Sequence, residues 1–131
     1  MKDEPLDFEQ RMIRVLLVED HVAFRQALAF LLGGEPDMEV VAQAGSLAEA
    51  REAIDRALDV AVIDLGLPDG NGGELIGELR RASPGVAVLV LSAAVGSGRL
   101  EDVRTAGVDA VLAKVEAPPI IAEVVRNLAG A

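Results

Sequence analysis

The sequence predicts an α/β fold, a doubly wound parallel sheet with helices on both faces, and three observations support that prediction. Strand-length apolar runs recur along the 131 residues, at Ile13–Val18, Glu39–Ala44, Asp59–Asp64, Val86–Leu91 and Asp109–Ala113. Apolar residues at helical spacing follow each run. The third and fourth runs are apolar on both faces, as strands buried between two helical layers must be. Strands alternating with helices demand a parallel sheet with right-handed crossovers. The length matches a flavodoxin-like (βα)5 sheet of order 2-1-3-4-5, in which the ends of strands 1 and 3 lie side by side.

Each element has a local reason. Residues 1–11 lack periodicity and carry Asp3, Glu4, Asp7 and Glu9, so they read as a loose N-terminal extension before a domain spanning 12–131. Strand 1 ends on Glu19-Asp20. Phe24, Ala27, Leu28 and Leu31 then keep helical spacing until Gly33-Gly34 stops the helix. After strand 2, Ser46 caps a helix expected to run to about Ala57, with Glu49 completing a capping box. Strand 3 ends on Asp64, and Pro68 and Gly70 turn the chain. Asn71 opens a helix through Leu75 and Leu79 that Ser83-Pro84-Gly85 closes. Strand 4 ends at Ser92. A weak helix is expected over Gly96 to Thr105, its start diluted by Gly96, Ser97 and Gly98. Strand 5 leads to Lys114, and Pro118-Pro119 start a last helix with Ile121, Val124, Val125 and Leu128 on one face.

Composition excludes several function classes. With no cysteine there is neither a disulfide framework nor a thiolate zinc site. A formal net charge of −10 repels phosphate backbones, and Phe8, Phe24 and Phe30 are the only aromatic side chains, so the domain should not hold nucleic acid itself. No apolar run approaches the ~20 residues of a membrane span. The opening residues are acidic and lack the apolar centre of a secretory leader. A cytoplasmic protein is expected.

Under the predicted strand order, Glu19, Asp20 and Asp64 converge at the carboxyl rim of the sheet, where ligands bind in such folds. Three adjacent carboxylates repel one another unless a cation joins them, and an all-oxygen donor set suits Mg²⁺. Strands 4 and 5 bring Ser92 and Lys114 to the same rim. The set suits phosphoryl transfer onto Asp64 as nucleophile, with the cation and Lys114 neutralising the phosphoryl oxygens. Taken singly, each residue has a plainer reading. Asp69 and Asp109 are read as turn formers or helix caps, His21 as a solvated residue of the first helical turn, and Phe24 and Phe30 as core or helix-face packing. Ser92 alone would bond nearby backbone, and Lys114 alone would be a solvated surface cation.

The combination resembles the receiver domain of two-component response regulators over nearly the whole chain from Met12. Glu19-Asp20-His21 resembles the acidic pair closing the first strand, and Asp64-Leu-Gly-Leu-Pro68-Asp-Gly-Asn-Gly72 the phosphoacceptor and its loop. Leu91-Ser92-Ala93 resembles the strand-4 hydroxyl site, and Leu112-Ala113-Lys114 the strand-5 lysine. The resemblance implies that Asp64 accepts a phosphoryl group from a sensor histidine kinase. It further implies that Asp20 binds Mg²⁺ directly, Glu19 through water, and Asp64 and the Gly66 carbonyl complete the protein ligands. Ser92 would shift toward the phosphoryl group and report its presence, and Lys114 would pair with the phosphoryl oxygens. Such a domain is not an enzyme beyond its self-catalysed phosphorylation and dephosphorylation.

Glu19-Asp20 followed by His21 and Arg25, with no proline after Lys114, is similar to the NarL/FixJ (LuxR-type) subfamily. Its members usually precede a helix-turn-helix domain, so DNA would be reached only through a C-terminal output domain absent here. The chain is either an excised receiver or a stand-alone one. A homodimer, through the Gly96–Thr105 segment and strand 5 or through the first and last helices, is left open. Two departures stand out. The aromatic switch often found three residues before the lysine is replaced by Val111, so signalling would rely on the Ser92 loop. The glycine-rich start at Gly96 should make the output face mobile. An aspartyl phosphatase is disfavoured because Gly66 stands where its general acid would be, and a nucleotide-binding fold because the turn after strand 1 is acidic. A phosphorylation-independent interaction module on the same fold is the remaining alternative.

Overall fold

The computed structural model describes residues 11–93 and 107–130. Five parallel strands form the sheet: β1 (Ile13–Val18), β2 (Met38–Ala44), β3 (Val60–Asp64), β4 (Ala87–Ser92) and β5 (Ala110–Ala113). Their spatial order is β2-β1-β3-β4-β5, the predicted order. The described helices are α1 (Val22–Gly33), α2 (Leu47–Arg51), α3 (Gly72–Ala82) and α4 (Ala117–Gly130).

Side-chain alternation explains why the central strands are apolar throughout. Leu16 and Val18, Ala61 and Ile63, and Val88 and Val90 point to one face, where Leu47, Leu75, Ile76 and Leu79 of α2 and α3 cover them. Val15 and Leu17, Val60 and Val62, and Leu89 and Leu91 point to the other, beneath Leu28 and Leu32 of α1 and Ile121 and Val125 of α4. Each strand therefore serves two cores, and a polar residue within it would be buried whichever way it faced. Asp64, at the strand end, is buried too, but there it meets the Lys114 ammonium.

Register places the strand ends together. Val18 pairs with Ile63, Asp64 with Leu91, and Ser92 with Ala113. A bulge in the β1–β2 ladder pairs Val15 with Val40 but Leu16 with Ala42. It lets Met38 and Val40 pack into the α1–α4 core while Ala42 and Ala44 pack into the α2–α3 core.

Four expectations need correcting or setting aside. Helix α2 ends at Arg51 instead of continuing to about Ala57. Beyond it Glu52, Ala53 and Arg56 donate to Glu49, Ala50 and Ala53, so the chain continues in tighter three-residue turns that bury Ala53. Phe30 packs in no core and is 81% exposed, because Leu28 and Leu32 on either side of it face the sheet. All but Arg11 of the extension over residues 1–11, and the weak helix over Gly96 to Thr105, lie outside the described residues.

Candidate functional site

The site is assembled at the carboxyl rim, where β1 and β3 lie side by side. Glu19 and Asp20 follow β1, and Asp64 ends β3. One ligand oxygen from each lies within 4.8 Å of the others. Glu19 is fully buried and Asp64 is buried, while Asp20 is exposed. Lys114, directly after β5, reaches back across the rim. Its Nζ lies 2.9 Å from Glu19 Oε1 and 3.2 Å from Asp64 Oδ2, and it donates to Glu19 Oε2 at 3.1 Å. The ammonium also stands 5.6 Å from the centre of the Phe24 ring, a cation–π contact that helps place it. Ser92 ends β4 on the same rim, with its side chain buried.

Electrostatics shows whether these groups suit a cation. Burial pushes the Glu19 carboxyl above the usual carboxylate range, against the lowering effect of the His21 N–H and of Lys114. Burial alone would lower Lys114, but hydrogen bonds and charges from Glu19 and Asp64 outweigh it and hold the ammonium above the usual lysine value. One ammonium against three carboxylates leaves two negative charges uncompensated, the charge of a single divalent ion. Glu19 Oε1 is buried and is met by the Lys114 ammonium at 2.9 Å, a contact a bound cation would have to share. Oxygens on opposite sides of Mg²⁺ are about 4 Å apart, and the three side chains can close on one such ion with little movement. The donors therefore fit a hard divalent cation.

The loop after Asp64 is held by local chemistry. Gly66 N–H donates to Asp64 Oδ1 at 3.2 Å, fixing one carboxylate oxygen. Gly66–Leu67 pairs with Gly70–Asn71 in a short antiparallel hairpin. Asn71 caps α3 by accepting from Gly73 N–H at 2.7 Å. A Cβ on Gly72 would stand 2.7 Å from the Asp64 carbonyl oxygen and 2.9 Å from Ile63 Cγ2, so α3 begins against the end of β3 only because residue 72 has no side chain.

Of the predicted site residues, all but Val111 lie at or beside this rim. Glu19, Asp20, Asp64 and Lys114 are in mutual reach, Gly66 adjoins Asp64, and Ser92 ends the neighbouring strand. Val111 pairs with Val90 and packs on the α2–α3 core as a half-buried aliphatic residue. Asp69 and Asp109 are structural, and both bond to backbone. Asp69 accepts from Leu47 and Ala48 N–H at 2.8 and 3.1 Å, holding the hairpin to the start of α2 across 22 residues. Asp109 accepts from Val88 N–H and pairs with Arg80. His21 is the N-cap of α1, its Nδ1 accepting from Phe24 N–H. The sequence singled out Arg25 only as a subfamily mark beside His21 and gave it no role at the site, whereas it donates to the Glu19 carbonyl at 2.8 Å.

Residues 15–126 match the response regulator receiver domain. The chain is 40% identical over 104 residues to the DNA-binding transcriptional activator DevR/DosR of Mycobacterium tuberculosis, covering 79% of this chain and 48% of that protein. It is 36% identical over 119 residues to the transcriptional regulatory protein UhpA of Salmonella typhimurium, covering 90% and 59%. The chain thus spans about half the length of these curated relatives. Among solved structures, the signal receiver domain of the putative response regulator NarL from Mycobacterium tuberculosis superposes with a TM-score of 0.84 at 25% identity, covering 92% of this chain and 98% of that one.

Proposed function

The chain belongs to the NarL/LuxR-type branch of the response regulator receiver domain family, and on that premise we propose that it accepts a phosphoryl group on Asp64 from a sensor histidine kinase and relays the change to an output domain. The observation supporting this most directly is the joint placement of Glu19, Asp20, Asp64 and Lys114 at one rim. An Asp64 carboxylate oxygen attacks phosphorus of a phosphohistidine. The new P–O bond forms as the P–N bond breaks, leaving an acyl phosphate on Asp64 and a free imidazole on the donor. Gly66 N–H holds Oδ1, which leaves Oδ2, beside Lys114, as the attacking oxygen. Lys114 then moves from Asp64 onto a phosphoryl oxygen, and the Ser92 hydroxyl donates to another.

Glu19, Asp20, Asp64 and the Gly66 carbonyl would hold Mg²⁺, which when bound supplies charge neutralisation for the transferred group. The chemistry ends on the protein's own carboxylate, so no turnover of a separate substrate is assigned. DNA would be contacted only by an output domain outside this chain. Among the described residues no helix is long and apolar enough to cross a membrane, in keeping with a cytoplasmic site of action.

Intact mass after incubation with a small acyl phosphate, with and without Mg²⁺ and beside Asp64→Asn, tests the reading. A single Mg²⁺-dependent phosphoryl adduct that the variant lacks is expected. No adduct under any condition would instead favour a phosphorylation-independent interaction module, to which Val111 in place of a switch aromatic already lends weight.

A further inference from the structure

We propose that Arg25 is a positioning residue for the cation-binding acids, acting on the peptide that joins them, and that Gly45 is small to leave it room. The proposal rests on the reading of Glu19 and Asp20 as a metal-binding pair. The carbonyl of Glu19 belongs to the peptide between the two acids, and Arg25 Nη1 donates to it at 2.8 Å. The same segment is anchored on either side. Glu19 N–H donates to the Ala44 carbonyl at 2.9 Å, His21 N–H to Glu19 Oε2 at 2.9 Å, and Arg25 N–H to the His21 carbonyl at 2.9 Å. Only the exposed Asp20 side chain is left to move. A cation that demands near-octahedral oxygens gains most from ligands whose backbone is fixed beforehand.

Two features indicate that Arg25 is placed for this contact. Its Nε is buried and makes no hydrogen bond, a costly arrangement for a guanidinium that could be relieved by turning outward. The rigid fork therefore gives up one donor to keep another on the Glu19 carbonyl. Opposite it, a Cβ on Gly45 would lie 2.9 Å from Arg25 Nη1, so a larger residue at the end of β2 would push the guanidinium off its target.

The test is a Mg²⁺ titration followed by ¹H–¹⁵N NMR, because the chain has no tryptophan or tyrosine to report binding by fluorescence. The variants are Arg25→Met, Arg25→Lys, Gly45→Ala and the Arg25→Met/Gly45→Ala double variant, each also followed through thermal unfolding. Arg25→Met should bind Mg²⁺ about ten-fold more weakly, the lower end of what loss of a partner behind a metal ligand costs. Arg25→Lys, which keeps one donor, should recover most of it. Gly45→Ala should weaken binding in the Arg25 background and add nothing in the Arg25→Met background. Wild-type affinity in Arg25→Met, with only the unfolding midpoint lowered, makes Arg25 a packing residue and overturns the proposal. An equal Gly45→Ala loss in both backgrounds also overturns it. If the wild-type chain itself binds no Mg²⁺, the cation reading fails and takes the proposal with it.

Discussion

The ammonium of Lys114 lies 2.9 Å from one carboxylate oxygen of the fully buried Glu19 and 3.1 Å from the other, across 95 positions of sequence. Removing it in Lys114→Met leaves Glu19 buried beside Asp64 with no cation, at a cost of roughly 1–3 kcal/mol. A ligand that binds only the folded state restores stability, so Mg²⁺ should raise the melting temperature of Lys114→Met more than that of the wild type. Calorimetry with and without Mg²⁺ measures both increments, and equal increments would show that Lys114 is not the counter-ion of the site.

Gly72 lets α3 start against the Asp64 carbonyl. Gly72→Ala places a methyl group within 2.7 Å of that oxygen, and backbone cannot yield as a side chain can. Overpacking of this kind costs about 1–3 kcal/mol. Chemical denaturation should show that loss, and the phosphoryl adduct on Asp64 should form more slowly. A variant of wild-type stability would mean that the helix start can shift freely.

Asp69 accepts from two N–H groups at the start of α2, and those bonds, the one from Leu47 first, hold its carboxyl below the usual range despite some desolvation. Asp69→Ala should speed hydrogen exchange at the Leu47 and Ala48 amides several-fold and leave the Leu79 amide in α3 unchanged. Unchanged exchange at Leu47 would remove Asp69 from any role in tying the hairpin to α2.

Arg126 on α4 pairs with Glu35 and Asp37 ahead of β2. Its hydrogen bond holds the Asp37 carboxyl below the usual carboxylate range, against a small opposing effect of desolvation. A depressed folded-state value stabilises the protein above about pH 4, where an unfolded aspartate is ionised. That stabilisation disappears as pH falls through the folded-state value. Arg126→Met should therefore be slightly less stable than wild type near neutral pH, with the gap closing in acid. The pair is exposed, so high salt should shrink the gap further. Urea midpoints measured against pH check this, and a gap independent of pH would assign the Arg126 contribution to packing.

Most of the sheet and the acidic rim were legible because both follow from order along the chain. Once alternating strands and helices impose the 2-1-3-4-5 arrangement, Glu19, Asp20 and Asp64 must meet, and Lys114 follows the last strand onto the same edge. Arg25 was not legible as a functional residue because it acts through a main-chain carbonyl, and main-chain partners leave no mark on side-chain pattern. The end of α2 was misread because the tighter turns after Arg51 keep helical-looking composition, and the three-residue hydrogen bonds that set them apart leave no mark on it. Phe30 was assigned to packing by residue type alone, and Leu31 was set on the inward face of α1 that Leu32 takes instead.

The bulge opposite Val15 and Leu16 also bears on how copies of this protein meet in concentrated solution. β2 is an outer strand of the sheet, and its free edge is a template on which a foreign strand could add. The extra residue breaks the even spacing of β2 partway along, so an incoming strand could stay in register over only part of its length. At the opposite edge β5 offers just four residues. Among the described residues, both borders of the sheet thus offer an incoming strand only a short or interrupted register.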